Sequence, residues 1–336
     1  MKKKTNGSRP NPQFSIERLV EFYKFDGAGN DFVIIDARNS DPNLSSEDIE
    51  HICHRRFGVG ADGLMLLCPP EGEYNFRMKY YNSDGRPADM CGNGGRCIAF
   101  FAHLLGLNTK IKVDEDDEVN EASQRTDTAR HVVTVKTSSI SELQDAPAPG
   151  SQFGNHLHFV ASDGPHHAEI IHWDKEQRKA VVDLSMRDVP KAEMLTVLDG
   201  RLINTGVPHY VQHVEDLEHF DVVGEGRRLR HHPDLGPEGA NVNFVEEKPD
   251  GTLSVRTYER GVEDETWACG TGVTACAIVM NNHDIHTRGG DFHVRFRQVC
   301  DTYTDVHLIG PASFNFAGEI LKKDNQIIRR SDIQTI

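Results

Sequence analysis

Two cysteines open similar glycine-rich segments, and their residue type and setting suit acid–base chemistry. Residues 90–97 read Met-Cys-Gly-Asn-Gly-Gly-Arg-Cys, and residues 268–276 read Ala-Cys-Gly-Thr-Gly-Val-Thr-Ala-Cys. An apolar run able to form a helix follows each turn. Glycines let backbone N–H groups converge at such a turn, and the positive end of the helix adds to them, so a carboxylate suits the site. The same dipole is expected to stabilise the thiolates of Cys91 and Cys269.

The surroundings of these cysteines also repeat along the chain. Gly29 precedes Cys91 by 62 residues, and Gly206 precedes Cys269 by 63. Matched spacing over such a distance indicates a tandem duplication. Duplicated domains usually face each other across a pseudo-twofold cleft, which would bring the two thiols to opposite sides of one substrate. Two acid–base groups on opposite faces of a carbon can invert it, with thiolate and thiol exchanging roles.

Local patterns predict the elements that position the two turns. Residues 20–36 read as strand, glycine turn and strand, and residues 203–211 repeat that pattern. Ser45 and Ser46, which precede the acidic pair Glu47 and Asp48, predict a helix start. Strands and helices mixed within two similar halves predict an α+β fold made of two similar α/β domains, with the active site in the cleft between them.

Composition limits the class of protein. The chain has 336 residues, of which 37% are apolar and 26% charged, and its formal net charge is −15. The negative charge argues against general binding to nucleic acid or to an anionic membrane. No apolar run approaches the length of a membrane span. Seven cysteines without a regular framework favour a reducing cytoplasm.

Eight stretches together resemble the diaminopimelate epimerase family, over nearly the whole length from about residue 19 to residue 321. Proline racemases, which are related, typically have histidine where Asn93 stands, and phenazine-type isomerases lack the cysteine pair. Asn82 and Asn93 therefore favour the diaminopimelate branch. The matching stretches are residues 29–32, 56–63, 81–85, 90–97, 208–209, 241–244, 258–261 and 268–272.

The resemblance implies interconversion of LL- and meso-2,6-diaminoheptanedioate, on the route to lysine and peptidoglycan, without metal or pyridoxal cofactor. It makes Cys91 and Cys269 the acid–base pair, with His209 and Glu259 as neighbours that adjust the thiols. Substrate contacts are implied for Asn30, Asn82, Gly92, Asn93, Asn241, Glu259, Arg260, Gly270 and Thr271. An arginine fork at Arg260 would suit the distal carboxylate.

The same resemblance implies domains in which a curled mixed sheet surrounds a central helix, and a homodimer. The predicted divisions are a disordered tail at 1–18, a first epimerase domain at 19–187 plus 311–323, a second at 188–310, and a carboxyl-terminal tail at 324–336. The acidic stretch 114–130 is expected to be an insertion in the first domain.

Two positions depart from the family pattern. Many members have glutamine where Gly63 stands, and many have asparagine where Val207 stands. Val207 cannot supply an amide contact, so one hydrogen bond to the substrate is missing from the implied set.

Other functions remain open at this stage. The chain could be a racemase or epimerase of another amino acid on the same fold, or a binding protein that holds an amino acid without chemistry. A cysteine-nucleophile transferase or hydrolase would need one reactive thiol rather than two. The 18 histidines form no recognisable metal motif, so no metal site is predicted. Cys97 and Cys276 fall within the predicted helices and are expected in the core.

Overall fold

A computed structural model describes residues 18–108, 155–323 and 326–327. The acidic stretch 114–130 and residues 1–17 of the predicted tail lie outside the described residues. The helices are α1 (Ser46–Cys53), α2 (Gly92–Leu104), α3 (Val222–Arg230) and α4 (Gly270–Met280), with 3-10 turns at Lys191–Glu193 and Pro233–Leu235.

The strands fall into two sets, of which the first ends at Ser185 and the second begins at Val189. The first set is β1 (Arg18–Gly27), β2 (Asn30–Asp36), β3 (Gly63–Cys68), β4 (Phe76–Asn82), β5 (His156–Ala161), β6 (Gly164–Asp174) and β7 (Lys179–Ser185). The second is β8 (Val189–Pro190), β9 (Leu195–Val197), β10 (Gly200–Asn204), β11 (Pro208–His213), β12 (Asn241–Glu247), β13 (Leu253–Glu259), β14 (Asp264–Thr266), β15 (Asp284–Thr287), β16 (Gly290–Val299), β17 (Thr302–Lys323) and β18 (Gln326–Ile327).

The first set curls into a closed ring around α2. Strands pair in the order β17–β1–β2–β3–β4–β5–β6–β7, and β7 pairs with β17 again. The β2–β3 and β4–β5 pairs are parallel, and the others are antiparallel. Every residue of α2 is buried, and the Phe100 and Phe101 rings pack against Phe25 in the core. Burial on all sides explains why most of the helix is apolar.

The second set repeats this arrangement around α4. Its strands pair in the order β9–β10–β11–β12–β13–β15–β16–β17–β8. The parallel pairs, β11–β12 and β13–β15, are again the third and fifth pairs in the order. The predicted fold of two similar domains, each a curled mixed sheet around a helix, is confirmed.

Strand β17 belongs to both sheets. Residues 302–309 pair with β16, and residues 313–322 pair with β1. The segment containing β8 and β9 serves the second sheet in the same way, because β8 pairs with β17 and β9 pairs with β10. Each sheet is therefore completed by a strand that follows the other half in sequence.

Local sequence explains how α1 begins. Ser45 Oγ accepts from the backbone N–H of Asp48, and the Asp48 carboxylate accepts from the N–H of Ser45, which is a capping box. By contrast, α2 and α4 have cysteine at the N-cap and no side-chain cap. Their first N–H groups remain available to other acceptors.

Cys97 and Cys276 are fully buried in the two helices, as predicted, whereas Cys300 is exposed at a turn. We expect Cys97→Ala and Cys276→Ala each to lower the free energy of unfolding by about 1 kcal/mol, because each leaves a small cavity in a packed core. Cys300→Ala, the matched control, should change it by less than about 0.5 kcal/mol. Urea unfolding followed by circular dichroism measures all three; equal losses in core and surface variants would contradict this account.

Candidate active site

The amino-terminal ends of α2 and α4 meet at the junction of the two sheets. A methyl group built on Gly92 would lie 3.6 Å from Cα of Gly270, and one built on Gly270 would lie 2.9 Å from Leu308 Cδ2. A side chain at Gly270 would therefore require the side chains of Leu308 and Asn93 to shift. Cys91 and Cys269 are the N-cap residues of these helices, so the two thiols stand at the ends that approach each other.

Backbone N–H groups of the helix starts act on both thiols. Burial raises the pKa of Cys91, while the N–H groups of Gly94 and Asn93 lower it. Burial also raises the pKa of Cys269, well above its ordinary value, with the N–H of Gly272 opposing. The helix starts thus favour the thiolates as expected, but burial outweighs them.

Asn30 lies beside Cys91 with its amide orientation fixed. Its Nδ2 donates to Asp62 Oδ2 at 2.7 Å, so its Oδ1 faces the Cys91 thiol, which is 3.8 Å from it. Arg55 donates to both Asp62 and Asp31 and holds these carboxylates in place. The sequence singled out Asn30 but not Asp62, which directs its oxygen toward the thiol.

Asn93 joins the two halves at the helix ends. Its Nδ2 donates to the carbonyl of Ala268 at 2.9 Å, directly before Cys269. Its Oδ1 accepts from Arg96 Nη2 at 3.0 Å, which fixes the amide. Asn93, a predicted substrate contact, therefore also ties the first turn of α2 to the chain before α4.

His209 reaches Cys269 through Thr271. Its Nε2 lies 2.9 Å from Thr271 Oγ1, which lies 3.5 Å from Cys269 Sγ. The histidine is fully buried, and burial lowers its pKa to about 3, with the Arg260 guanidinium adding to the effect. A neutral imidazole is therefore present at ordinary pH, and it does not contact the thiol directly.

Asn243 fixes the tautomer of that imidazole. Its Oδ1 accepts from Thr257 Oγ1 at 2.9 Å, so its Nδ2 faces His209 Nδ1 at 3.2 Å and Tyr210 O at 3.0 Å. Nδ1 of His209 must then accept, which leaves the proton on Nε2 for donation to Thr271. The Thr271 hydroxyl is thereby free to donate to the Cys269 sulfur.

Glu259 ends β13 and acts on both thiols. Burial raises its pKa to about 7, and the Asp62 carboxylate adds to the rise. Its own charge raises the pKa of Cys91 and of Cys269. The carboxyl group is thus close enough to both sulfurs to influence them, and it changes charge near neutral pH.

Arg260 and Asn241 adjoin Glu259. The backbone N–H of Arg260 donates to Asn241 Oδ1 at 2.7 Å, so the buried amide holds the turn after β13. The Arg260 guanidinium lies 3.2 Å from the exposed carboxylate of Glu238. This surface ion pair is weak and leaves the arginine able to change partners.

Asn82 is not brought into this group of contacts. It ends β4 with an exposed side chain, paired through its backbone with Gly63. A methyl group at Gly63 would lie 2.5 Å from the Tyr80 ring, so a larger side chain there requires movement of the tyrosine. Val207, the other departure, is half-buried in the turn before β11.

Sequence signals existed for two of the residues that were missed. Arg96 is a charged residue inside an otherwise apolar helical run, and Asn243 lies two positions after Asn241 on the same strand face. Within the described ranges, no group of three or more His, Cys, Asp or Glu side chains could hold a metal ion. None of the helices described is long and apolar enough to cross a membrane.

The family model and the related sequences that match this chain all carry the same family description. The family model described as diaminopimelate epimerase matches residues 22–141 and 201–301. The diaminopimelate epimerase of Flavobacterium psychrophilum is 38% identical, covering 88% of this chain and 98% of the relative. That of Aquifex aeolicus is also 38% identical, covering 77% and 81%.

Solved structures extend the likeness to the fold. A probable proline racemase from Agrobacterium radiobacter K84 superposes with a TM-score of 0.58 at 13% identity, covering 90% of this chain and 93% of that one. At that identity the likeness concerns the fold alone. The family match and the identity over most of both chains show more: the chain belongs to the diaminopimelate epimerase family, and it is an isomerase.

Proposed function

We propose that this chain interconverts LL- and meso-2,6-diaminoheptanedioate by a two-base mechanism that uses Cys91 and Cys269. The observation that carries the proposal is the meeting of two equivalent helix starts, each with a cysteine at its N-cap. The family relationship supports the substrate, because relatives that this chain matches along nearly their whole length are diaminopimelate epimerases.

Inversion requires one proton to leave and another to arrive on the opposite face. One cysteine, as thiolate, takes the α-proton, and the electron pair of the broken C–H bond remains on the carbon beside the carboxylate. The other cysteine, as thiol, delivers its proton to the opposite face. Thiolate and thiol have then exchanged roles. After the product leaves, the first thiol loses its proton to solvent and the second thiolate takes one up, which restores the starting state.

The helix starts stabilise the charge that develops on the substrate carboxylate. Neither helix has a side-chain cap, so first-turn N–H groups at Gly92–Asn93 and Gly270–Thr271 are available to its oxygens. Binding of the substrate also excludes water from the cleft, which strengthens these interactions.

Supporting residues differ on the two sides. On the Cys269 side, neutral His209 holds Thr271 as a donor to the sulfur. On the Cys91 side, Asn30 presents its carbonyl oxygen to the thiol, and this contact stabilises the protonated form. Glu259 faces both thiols and accepts a substrate ammonium in the proposed site, while Arg260 pairs with the distal carboxylate.

We also propose a partner, a compartment and an oligomeric state for the enzyme. The partner is a small amino-acid dicarboxylate, the compartment is the cytoplasm, and the assembly is a homodimer. No metal or pyridoxal group takes part in the proposed reaction. Asn82, whose side chain is exposed, also contacts the substrate in the proposed site.

Proton NMR in deuterated water tests the substrate directly. A panel containing the diaminoheptanedioate isomers, proline, glutamate and lysine is incubated with the enzyme, and loss of each α-proton signal is followed. Exchange restricted to the diaminoheptanedioates supports the proposal. Exchange of another amino acid alone would favour a different racemase, and no exchange in any sample would favour a binding protein.

Replacing either acid–base cysteine should abolish inversion. In Cys91→Ala or Cys269→Ala, one face of the carbon has neither donor nor acceptor, so we expect turnover to fall by at least about 1,000-fold in both directions. The remaining thiolate can still eliminate halide from a halogenated analogue of the isomer presented to it. The measurement is turnover from each isomer, with elimination assayed separately.

Cys97→Ala and Cys276→Ala are the matched controls, because they remove thiols from the same two helices outside the cleft. They should retain turnover within about twofold once their lower stability is accounted for. Inversion near the parent rate in Cys91→Ala or Cys269→Ala would contradict the two-base mechanism. Loss confined to one cysteine, together with a trapped covalent adduct, indicates nucleophilic catalysis instead.

Removing the charge of Glu259 should make both thiols more acidic. Its carboxylate raises the pKa of each thiol, and its own pKa of about 7 means that this repulsion is present above neutral pH. In Glu259→Gln we expect the pH midpoint of iodoacetamide labelling to fall, by on the order of one unit, at Cys91 and Cys269. Peptide mass spectrometry measures labelling at each cysteine without substrate.

Glu225→Gln is the control, since it removes a carboxylate on an exposed face of α3 that pairs with Arg228. Its labelling midpoints should equal those of the parent enzyme. Unchanged or higher midpoints in Glu259→Gln would show that Glu259 does not act on the thiols through its charge.

A further inference from the structure

Arg96 is a buried cation without an anionic partner among the described residues. Its side chain is 0% exposed and is the largest fully buried side chain there. No described carboxylate lies within ion-pair distance of it, whereas Arg256 and Arg230, elsewhere in the chain, pair with Glu265 and Glu263. A buried charge is costly unless something compensates it.

The guanidinium is held by neutral acceptors around the start of α2. Nη1 donates to the carbonyl of Gly92 at 3.1 Å, Nη2 to Asn93 Oδ1 at 3.0 Å, and Nε to the carbonyl of Pro311 at 3.2 Å. Its centre lies 4.9 Å from the centroid of the Phe292 ring. These contacts fix the cation one helical turn below Cys91, inside the junction of the two sheets.

The duplicated half has a neutral residue at this position. Arg96 is five residues after Cys91, and Thr274 is five residues after Cys269. Thr274 Oγ1 donates to the carbonyl of Gly270 at 3.0 Å, which corresponds to the bond from Arg96 to Gly92. The backbone contact is therefore repeated in the second half, but the positive charge is not.

Cys91 has several titratable neighbours, and Arg96 is a cation among them. The Glu259 carboxylate raises the pKa of Cys91, and the Arg96 guanidinium lowers it. The groups that face Cys91 or the thiol of Cys97 beneath it are Asp26 from β1, Asp31 from β2, Tyr80 from β4, Glu259 from β13, Cys269 at the start of α4, and Arg96 on α2.

We propose that Arg96 is a positioning residue for Cys91: its fixed charge stabilises the Cys91 thiolate and its hydrogen bonds hold the first turn of α2. The inference rests on the proposed acid–base role of Cys91. With Arg96 in this role, the two thiols have different neighbours: Cys91 has a buried cation, and Cys269 has the neutral His209–Thr271 pair. Arg96 keeps its charge at neutral pH because burial lowers its pKa only to about 10.

The test is the pH dependence of iodoacetamide labelling at each cysteine, in enzyme without substrate, followed by peptide mass spectrometry. In the parent enzyme, the midpoint of Cys91 should lie below that of Cys269. In Arg96→Met the Cys91 midpoint should rise by at least about one pH unit, while the Cys269 midpoint moves less. Arg96→Lys keeps a cation and should retain a midpoint near that of the parent.

Thr274→Val is the matched control, because it removes the equivalent hydrogen bond without changing charge, and it should leave Cys91 unaltered. Arg96→Gln replaces Arg96→Met if the latter does not fold. The inference is overturned if the labelling midpoint of Cys91 is unchanged in the neutral variants. It is also overturned if, in the parent enzyme, the midpoint of Cys91 lies above that of Cys269. Labelling needs no turnover, so an enzyme that failed to epimerise but showed these shifts would refute the proposed function and leave the role of Arg96 intact.

Discussion

The close approach of two helix amino termini is the constraint on which the rest of the structure depends. Each terminus carries partial positive charge and uncapped N–H groups, so two such ends placed together repel. Glycine at positions 92 and 270 permits the contact, and Asn93 ties one end to the carbonyl of Ala268. An anion held between the ends would relieve the repulsion, which is why an α-carboxylate suits this position.

Burial gives the two thiols properties that isolated helix caps would not have. A cysteine at an exposed helix start is acidified, but here loss of solvent raises both pKa values despite the N–H groups. The charge of Cys91 also raises the pKa of Cys269, so ionisation of one thiol disfavours ionisation of the other. A pair in which one thiol ionises and the other keeps its proton is suited to removing a proton from one face of a carbon and returning one to the other. The nearby carboxyl of Glu259, with a pKa of about 7, sets how much negative charge the pair experiences.

Local sequence patterns predicted the features that depend on neighbours in the chain. The serine cap of α1, the glycine turns and the duplicated cysteines are of this kind, because turn and cap chemistry is settled within a few residues. The start of α2 was harder to predict from local sequence. Its apolar run begins at Ile98, but the helix begins at Gly92, where the glycines have poor helix propensity and packing within the sheet decides the conformation.

Contacts between distant parts of the chain could not be obtained in this way. Arg96 meets Pro311 at a separation of 215 residues, and Asn93 meets Ala268 at 175. Nothing within the Gly-Gly-Arg-Cys segment shows that its arginine has no carboxylate partner among the described residues, because that depends on distant parts of the chain. Similarly, the tautomer of His209 depends on Asn243 and Thr257, which lie on two further strands.

Strand β17 has a consequence for how the protein is made. The first sheet closes only when residues 313–322 reach β1, so nearly the whole chain must leave the ribosome before its first-synthesised strand acquires a second neighbour. Until then β1 pairs on one side with β2 and presents an open edge on the other. Ring closure over so long a separation is slow compared with local pairing. The first sheet, before β17 is added, is therefore the species most prone to aggregation. A chain that ended before residue 313 would leave the edge of β1 open permanently.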